Sequence, residues 1–294
     1  MKKMFFFTVL ILLAVSVLTA CNRQDEAAPI RLALTIDASN PVAGEAASRA
    51  LAQAMEDFIG IPVEPMPDIS YLIGIEAMRS GHLDIMLVSA FNYIRTSAVV
   101  DVELLVTMPI RAGTVNNAVF ITCASRYDIN TLADLEGKTF AFVDAVSTTG
   151  YIFPKYHLVT NLGLNPNLIM TSGYFFDTAT FSGGHETNVF GVSFGDFDAA
   201  AIGGIFLENM EERGLIYTSD FKVISYTEPV PSPSYIIRSA IDPELIEKIR
   251  EFFLQFNDPA YFAENWGDGN IRFTQPDIEG YAHVRSIVQT LGLD

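Results

Sequence analysis

A chain of 294 residues that is 50% hydrophobic and 18% charged carries enough apolar material for one large or two ordinary domains, which excludes intrinsic disorder. Its 20 glycines and 14 prolines, spread without a period, exclude a collagen-like or low-complexity chain. With 18 basic residues against 35 acidic ones, a net charge of −17, the chain lacks the basic footprint that nucleic-acid binding requires; a small anion held at a local site stays compatible, because surface charge is screened over about 8 Å.

Lys2 and Lys3 precede an apolar run from Met4 to Val15, and Leu18-Thr19-Ala20-Cys21 follows. A charged start, a short apolar stretch and a small-residue cleavage site make an export signal over residues 1–20. The run falls short of the about 20 residues a bilayer-spanning helix needs. Leu-Thr-Ala-Cys resembles the bacterial lipobox, which implies cleavage before Cys21, a lipid on that cysteine, and residues 21–29 as a polar tether to the membrane. The competing reading is an ordinary secretory signal with a chance cysteine. Cleavage removes two lysines and leaves −19. Cys123 is then the one other cysteine, so the exported chain has no intramolecular disulfide, and the apolar run Ala118 to Cys123 marks this thiol as strand packing.

Strand and helix signals then alternate, the pattern of an α/β protein with largely parallel sheets. Ile30 to Ile36 reads as a strand and Ala46 to Ile59 as a helix with Leu51, Met55, Phe58 and Ile59 on one face, ended by Gly60. Pro62 to Met66 is a short strand, Tyr71 to Ser80 a helix stopped by Gly81, and Leu83 to Val88 a strand apolar on both faces. Val102 to Pro109 and Ala118 to Cys123 are further strands. A second unit opens near Asp128, with strands at Thr139 to Val143, Leu168 to Thr171 and Asp198 to Ile202, and helices over 151–162 and from Glu186. Phe221 to Tyr226 leads into Glu228-Pro229-Val230-Pro231-Ser232-Pro233, whose prolines forbid regular pairing and mark a change of domain. Tyr235 to Arg238 returns as a strand, and helices at Pro243 to Phe256 and Ile278 to Leu291 finish the chain. The expected architecture is two lobes, residues 30–120 with 227–294 and an inserted 121–226, joined by two crossover strands and closing on a ligand between them.

The chemistry concentrates in Val143-Asp144-Ala145-Val146-Ser147-Thr148-Thr149-Gly150-Tyr151-Ile152-Phe153-Pro154. A buried strand ends, three hydroxyl residues follow, and a helix begins. Free backbone N–H groups and the positive end of the helix dipole make such a point an anion site. Capping alone would account for one hydroxyl and leaves two over.

Here the sequence resembles the phosphate, phosphite and phosphonate-binding lipoproteins of ABC importers, which are type II periplasmic binding proteins. The resemblance rests on Asp144-x-x-Ser-Thr-Thr-Gly-Tyr-x-Phe-Pro154, on Tyr71-x-x-x-Ile-Glu-Ala-Met-Arg-x-Gly-x-Leu-Asp84, on Phe181-Ser-Gly-Gly-His-Glu186, and more weakly on Glu228-Pro-Val-Pro231 leading to Ile236-Ile237-Arg238. It implies the two-lobe α/β fold and Ser147, Thr148 and Thr149 as the grip on phosphoryl oxygens, with His185 beside them. It also implies Tyr71 and Tyr93 on the first lobe's side of the cleft, although each is equally a core aromatic by its own pattern. The implied partners are a small oxyanion, an ABC permease with its ATPase, and the membrane through Cys21; the chain acts as a monomer without cofactor or metal. In aminoalkylphosphonate binders of this family a carboxylate follows the strand that here runs Asp198 to Ile202, whereas this chain has Gly203-Gly204. That departure points to a ligand without an amine: phosphate, phosphite or a small alkylphosphonate. Asp196 and Asp198 read as solvated turn residues. The alternatives are a receptor for another small anion or a thiamine precursor, or a ligand-sensing lipoprotein; a hydrolase using Ser147 and His185 is disfavoured, because there is no Gly-x-Ser-x-Gly elbow, His-Glu-x-x-His or P-loop.

Overall fold

A computed structural model describes residues 28–33, 41–66, 71–108, 115–266 and 268–293. Cys21 and the signal, and the stretch 34–36 of the first expected strand, lie outside the described residues. Among the described residues no helix is long and apolar enough to cross a membrane.

Two five-stranded sheets form the frame. The first contains β1 (Ile30–Ala33), β2 (Val63–Pro65), β3 (Ile85–Val88), β4 (Val102–Thr107) and β10 (Ser234–Arg238) in the order β2-β1-β3-β10-β4. The second contains β5 (Asn117–Cys123), β6 (Thr139–Phe142), β7 (Thr178–Phe181), β8 (Ala199–Gly203) and β9 (Phe221–Pro229) in the order β7-β6-β8-β5-β9. In each sheet three neighbouring strands run parallel, and one strand lies antiparallel between them and the edge: β10, the last strand of the chain, against β3 and β4, and β5, the first strand of its sheet in the chain, against β8 and β9. The fold is therefore the two-lobe α/β architecture expected. The expected changeover points at 120 and 227 fall inside β5 and β9, both of which belong whole to the second sheet; the chain leaves the first sheet after Thr107 and returns at Ser234.

Helices α1 (Pro41–Ile59), α7 (Pro243–Gln255) and α8 (Pro259–Trp266) cover one face of the first sheet, burying Leu51, Met55, Ile249, Phe253 and Phe262. Helices α5 (His185–Phe194) and α6 (Ile205–Glu212) cover the outer face of the second with Val189, Val192, Leu207 and Met210. Between the sheets lie α2 (Tyr71–Arg79), α3 (Ala90–Ser97), α4 (Phe153–Leu162) and the C-terminal α9 (Ile278–Thr290). Their apolar faces merge into one cluster from Met86 and Ile236 through Tyr281 and Val284 to Phe120, Phe140 and Phe142, so α9 cements the lobes together.

Two local readings change. The strand expected at Leu168 to Thr171 is a run of turns, with Leu168 N–H on Asn165 O and Thr171 N–H on Leu168 O, and only Ile169 is fully buried. The edge strand is instead Thr178–Phe181, where alternating β-branched threonines suit a half-exposed pleat. Asp198 is no solvated turn residue: its carboxylate pairs with Arg126 and accepts from the N–H and hydroxyl of Thr139, which anchors the start of β8. Asp84 does the same at the start of β3, where it is 2% exposed and held by Arg238 and by the N–H of Arg31. Both networks sit at the N-terminal ends of the strands, leaving the C-terminal ends for the cleft.

Candidate functional site

In the second sheet the chain moves from β6 outward to β7 and then back across to β8. The point between β6 and β8 is thus a topological switch, where open α/β sheets leave a crevice beyond their strand ends. The β6–β8 ladder closes at Ala141↔Ala200. Beyond it the fully buried Asn188 of α5 donates its amide to Ala141 O at 3.3 Å and Ala201 O at 2.9 Å, filling the gap as the strands part.

The hydroxyl triplet lies at the mouth of this crevice. Residues Thr148–Ile152 form a single π-helical turn that runs directly into α4. Ser147 caps it: the hydroxyl accepts from Gly150 N–H at 3.0 Å, and its carbonyl takes the N–H groups of Tyr151 and Ile152. The N–H groups of Thr148 and Thr149 carry no hydrogen bond to described residues and stand at the open, positive end of the turn. Gly150 permits this geometry, since a Cβ there would overlap Val143 and Ser147. Thr148 is 4% exposed, and its Oγ1 accepts from Phe91 N–H of α3 at 3.1 Å, a bond that joins the lobes. Both Ser147 and Thr148 therefore use an oxygen lone pair within the protein and keep the hydroxyl proton to donate.

His185 opens α5 and is 8% exposed. Its Nδ1 accepts from Gly203 N–H at 3.1 Å, and its ring lies flat on Phe206 with centroids 4.0 Å apart. Burial lowers its pKa to about 3, so the imidazole is neutral, and the bond at Nδ1 places the one ring proton on Nε2. Gly203 also faces Thr149, whose Oγ1 would lie 3.0 Å from a Cβ at that position. The strand-end glycine thus brings Thr149 and His185 to one spot. Among the described residues the hydrogen bond to His185 comes from this backbone N–H and not from a carboxylate.

On the first lobe, Tyr71 is pinned structurally: its hydroxyl bonds the carbonyl of Asn92 and, at 2.6 Å, Thr96 Oγ1, and burial raises its pKa. Tyr93 is half-buried and stands edge-on to Tyr281 with ring centroids 5.1 Å apart. Residues 34–40, which follow β1 in the chain, lie outside the described residues. The structure thus gathers Ser147, Thr148, Thr149 and His185 on the second lobe and sets α3 against Thr148. Sequence reading passed over the Phe91 N–H and Asn188, since a backbone donor and an amide in a helix carry no local signal. It met Gly203 only as a missing carboxylate.

The sequence profile of a family described as "ABC transporter, phosphonate, periplasmic substrate-binding protein" matches residues 35–279. A "Phosphate-import protein PhnD" of Mycolicibacterium smegmatis is 25% identical over 260 residues, covering 80% of this chain and 78% of that protein. Among solved structures, PhnD1 from Prochlorococcus marinus in complex with methylphosphonate superposes with a TM-score of 0.74 at 16% identity, covering 90% of this chain and 98% of that one. A binding-protein component of an ABC phosphonate transporter from Pseudomonas aeruginosa does so at 0.74 and 19%, covering 90% and 87%. The profile spans well over half of the chain and takes in strands of both sheets: this protein belongs to the family of periplasmic substrate-binding proteins of phosphonate ABC transporters, which bind and hand over a ligand and do not convert it.

Proposed function

We propose that this chain is a lipoprotein, held at the outer side of the cytoplasmic or outer membrane by a lipid on Cys21, that captures phosphate, phosphite or a small alkylphosphonate between its lobes and delivers it to an ABC permease. The observation that carries this reading is the convergence of Ser147, Thr148, Thr149 and neutral His185 on one strand-end crevice with their protons uncommitted. Each hydrogen bond to a charged oxygen contributes about 1.5–3 kcal/mol, so a handful reaches the about 8 kcal/mol of a micromolar complex. No lysine or arginine is needed for such a grip, and neutral donors count oxygens: a donor facing a missing one is left unpaired.

Ligand capture follows from the same contacts. Thr148 touches both α3 and the oxyanion position, so an occupied site favours the closed arrangement through differential affinity. Gly203-Gly204 offers no carboxylate to an ammonium group, which supports a ligand without an amine. A thermal-shift panel of phosphate, phosphite, methylphosphonate, aminoethylphosphonate and sulfate tests the reading: at least one of the first three stabilises the chain while aminoethylphosphonate and sulfate do not. Stabilisation by none of the three defeats it. Labelling with a clickable fatty acid, lost in Cys21→Ser, tests the anchor.

A further inference from the structure

The N-terminus of α3 faces the second lobe, and two buried polar atoms there, Ser89 Oγ and Asn92 Oδ1, have no hydrogen-bond partner among the described residues. Ser89 is the N-cap residue, with the extended backbone (φ −72°, ψ 165°) proper to that position. A serine at an N-cap ordinarily accepts from the N–H two or three residues on, here Phe91 or Asn92. Ser147 does so on the other lobe. Ser89 does not, because Phe91 has given its N–H to Thr148 Oγ1 across the cleft. The Ser89 hydroxyl is buried with no hydrogen-bond partner among the described residues. Asn92, three residues on and so on the same helical side, is 3% exposed and its Oδ1 is likewise buried and unpartnered. Asn92 has the position from which a side chain returns to the cap, and it makes no such bond. Buried polar atoms left unpaired in a native chain call for an explanation, and a ligand beside Thr148 provides one.

Resting on the oxyanion reading above, we propose that Ser89 is a further ligand-contacting residue that selects the fourth substituent on phosphorus. The second lobe's donors crowd one side of a tetrahedral group and take its first three oxygens, which turns the fourth substituent toward α3. If that substituent is an oxygen, the Ser89 hydroxyl donates to it, or accepts from it when it is protonated. A methyl group or a P–H hydrogen offers neither bond, and the hydroxyl stays orphaned. The chain therefore prefers phosphate to methylphosphonate and phosphite, and the bond between Phe91 and Thr148 that accompanies closure is what frees Ser89 to make the distinction.

The test is calorimetric titration of the full chain, Ser89→Ala and Ser89→Gly with phosphate and methylphosphonate. Glycine is well tolerated at an N-cap, so it separates loss of the hydroxyl from loss of a cap. The expected result is that the unaltered chain binds phosphate more tightly, that both variants lose phosphate affinity by about tenfold or more, and that methylphosphonate affinity changes by less than about threefold. Equal losses for both ligands, recovery in the glycine variant, or no loss at all would overturn the role of Ser89 while leaving the oxyanion site standing. Failure of the unaltered chain to bind phosphate or methylphosphonate overturns the Ser89 assignment, and the oxyanion reading falls with it only where phosphite is unbound as well.

Discussion

The backbone N–H of Gly203 donates to Nδ1 of His185, and the side chain that Gly203 lacks is what lets Thr149 stand next to them. One residue at the end of a buried strand thereby sets a histidine's tautomer and clears room for a hydroxyl on its other side.

His185 makes stability depend on pH in a defined direction. Its folded pKa, about 3, lies below the ordinary value of 6.5, so between these values the unfolded chain binds the extra proton. The stabilising effect of keeping this ring neutral is whole above pH 6.5 and is lost as pH falls through the window to 3. From pH 6.5 to 5 the loss is about 2 kcal/mol. Denaturant titrations at both pH values should show a steeper fall for the unaltered chain than for His185→Gln, in which this proton site is gone.

Gly203→Ala drives a methyl group against Thr149 Oγ1 at 3.0 Å and the ring of Phe206 at 3.2 Å. The methyl displaces a ligand-facing hydroxyl and the platform under His185, and overpacking of this kind costs about 1–3 kcal/mol. Oxyanion affinity should fall by about tenfold or more, since each such factor needs only 1.4 kcal/mol. Binding as tight as in the unaltered chain would take Thr149 and His185 out of the site.

Thr148→Val removes the oxygen that accepts from Phe91 and the proton that faces the ligand, while keeping shape. Oxyanion affinity should drop at least about tenfold. Thr148→Ser, with both functions intact, should stay within about threefold. In the empty chain the lobes can part and Ser89 can take the released N–H, so the melting temperature of Thr148→Val should move by no more than about 3 °C.

Lys155, 4% exposed, has no ion-pair or hydrogen-bond partner among the described residues and lies over the Tyr151 ring at 5.3 Å. Burial lowers its pKa. An amine taken out of water without a counter-charge is a cost that an apolar side chain of like volume avoids. Lys155→Met should therefore match or exceed the unaltered chain by about 1 kcal/mol near pH 7 in urea unfolding. The gap should narrow as pH rises toward 10.5, because the unfolded chain then gives up the proton that the folded chain holds less firmly.

Much of this protein is written in short stretches of chain. Helix faces such as Leu51, Met55 and Ile59, the glycine stops at Gly60, Gly81 and Gly163, and the hydroxyl triplet after an apolar strand all follow from spacing of a few residues, and the structure keeps them, while Phe58, read onto the same face, is exposed. Local pattern misled where a side chain's environment decides: Leu168 to Met170 is apolar enough for a strand yet only Ile169 is buried at zero exposure, and Asp198 reads as surface until Arg126 meets it. Tyr71 was legible as an aromatic near the cleft, but not that its hydroxyl is taken by α3.

What the sequence by itself determined is the alternation of strands and helices, and the place where a buried strand, three hydroxyl residues and a helix start follow one another. Which residues meet was decided by the tertiary structure alone. Phe91 and Thr148 are 57 positions apart and His185 and Gly203 are 18 apart; the packing of one lobe on the other brings the first pair together, and sheet order the second. Register depends on how whole faces of two sheets bury their apolar side chains at once, and no window of a few residues contains that information.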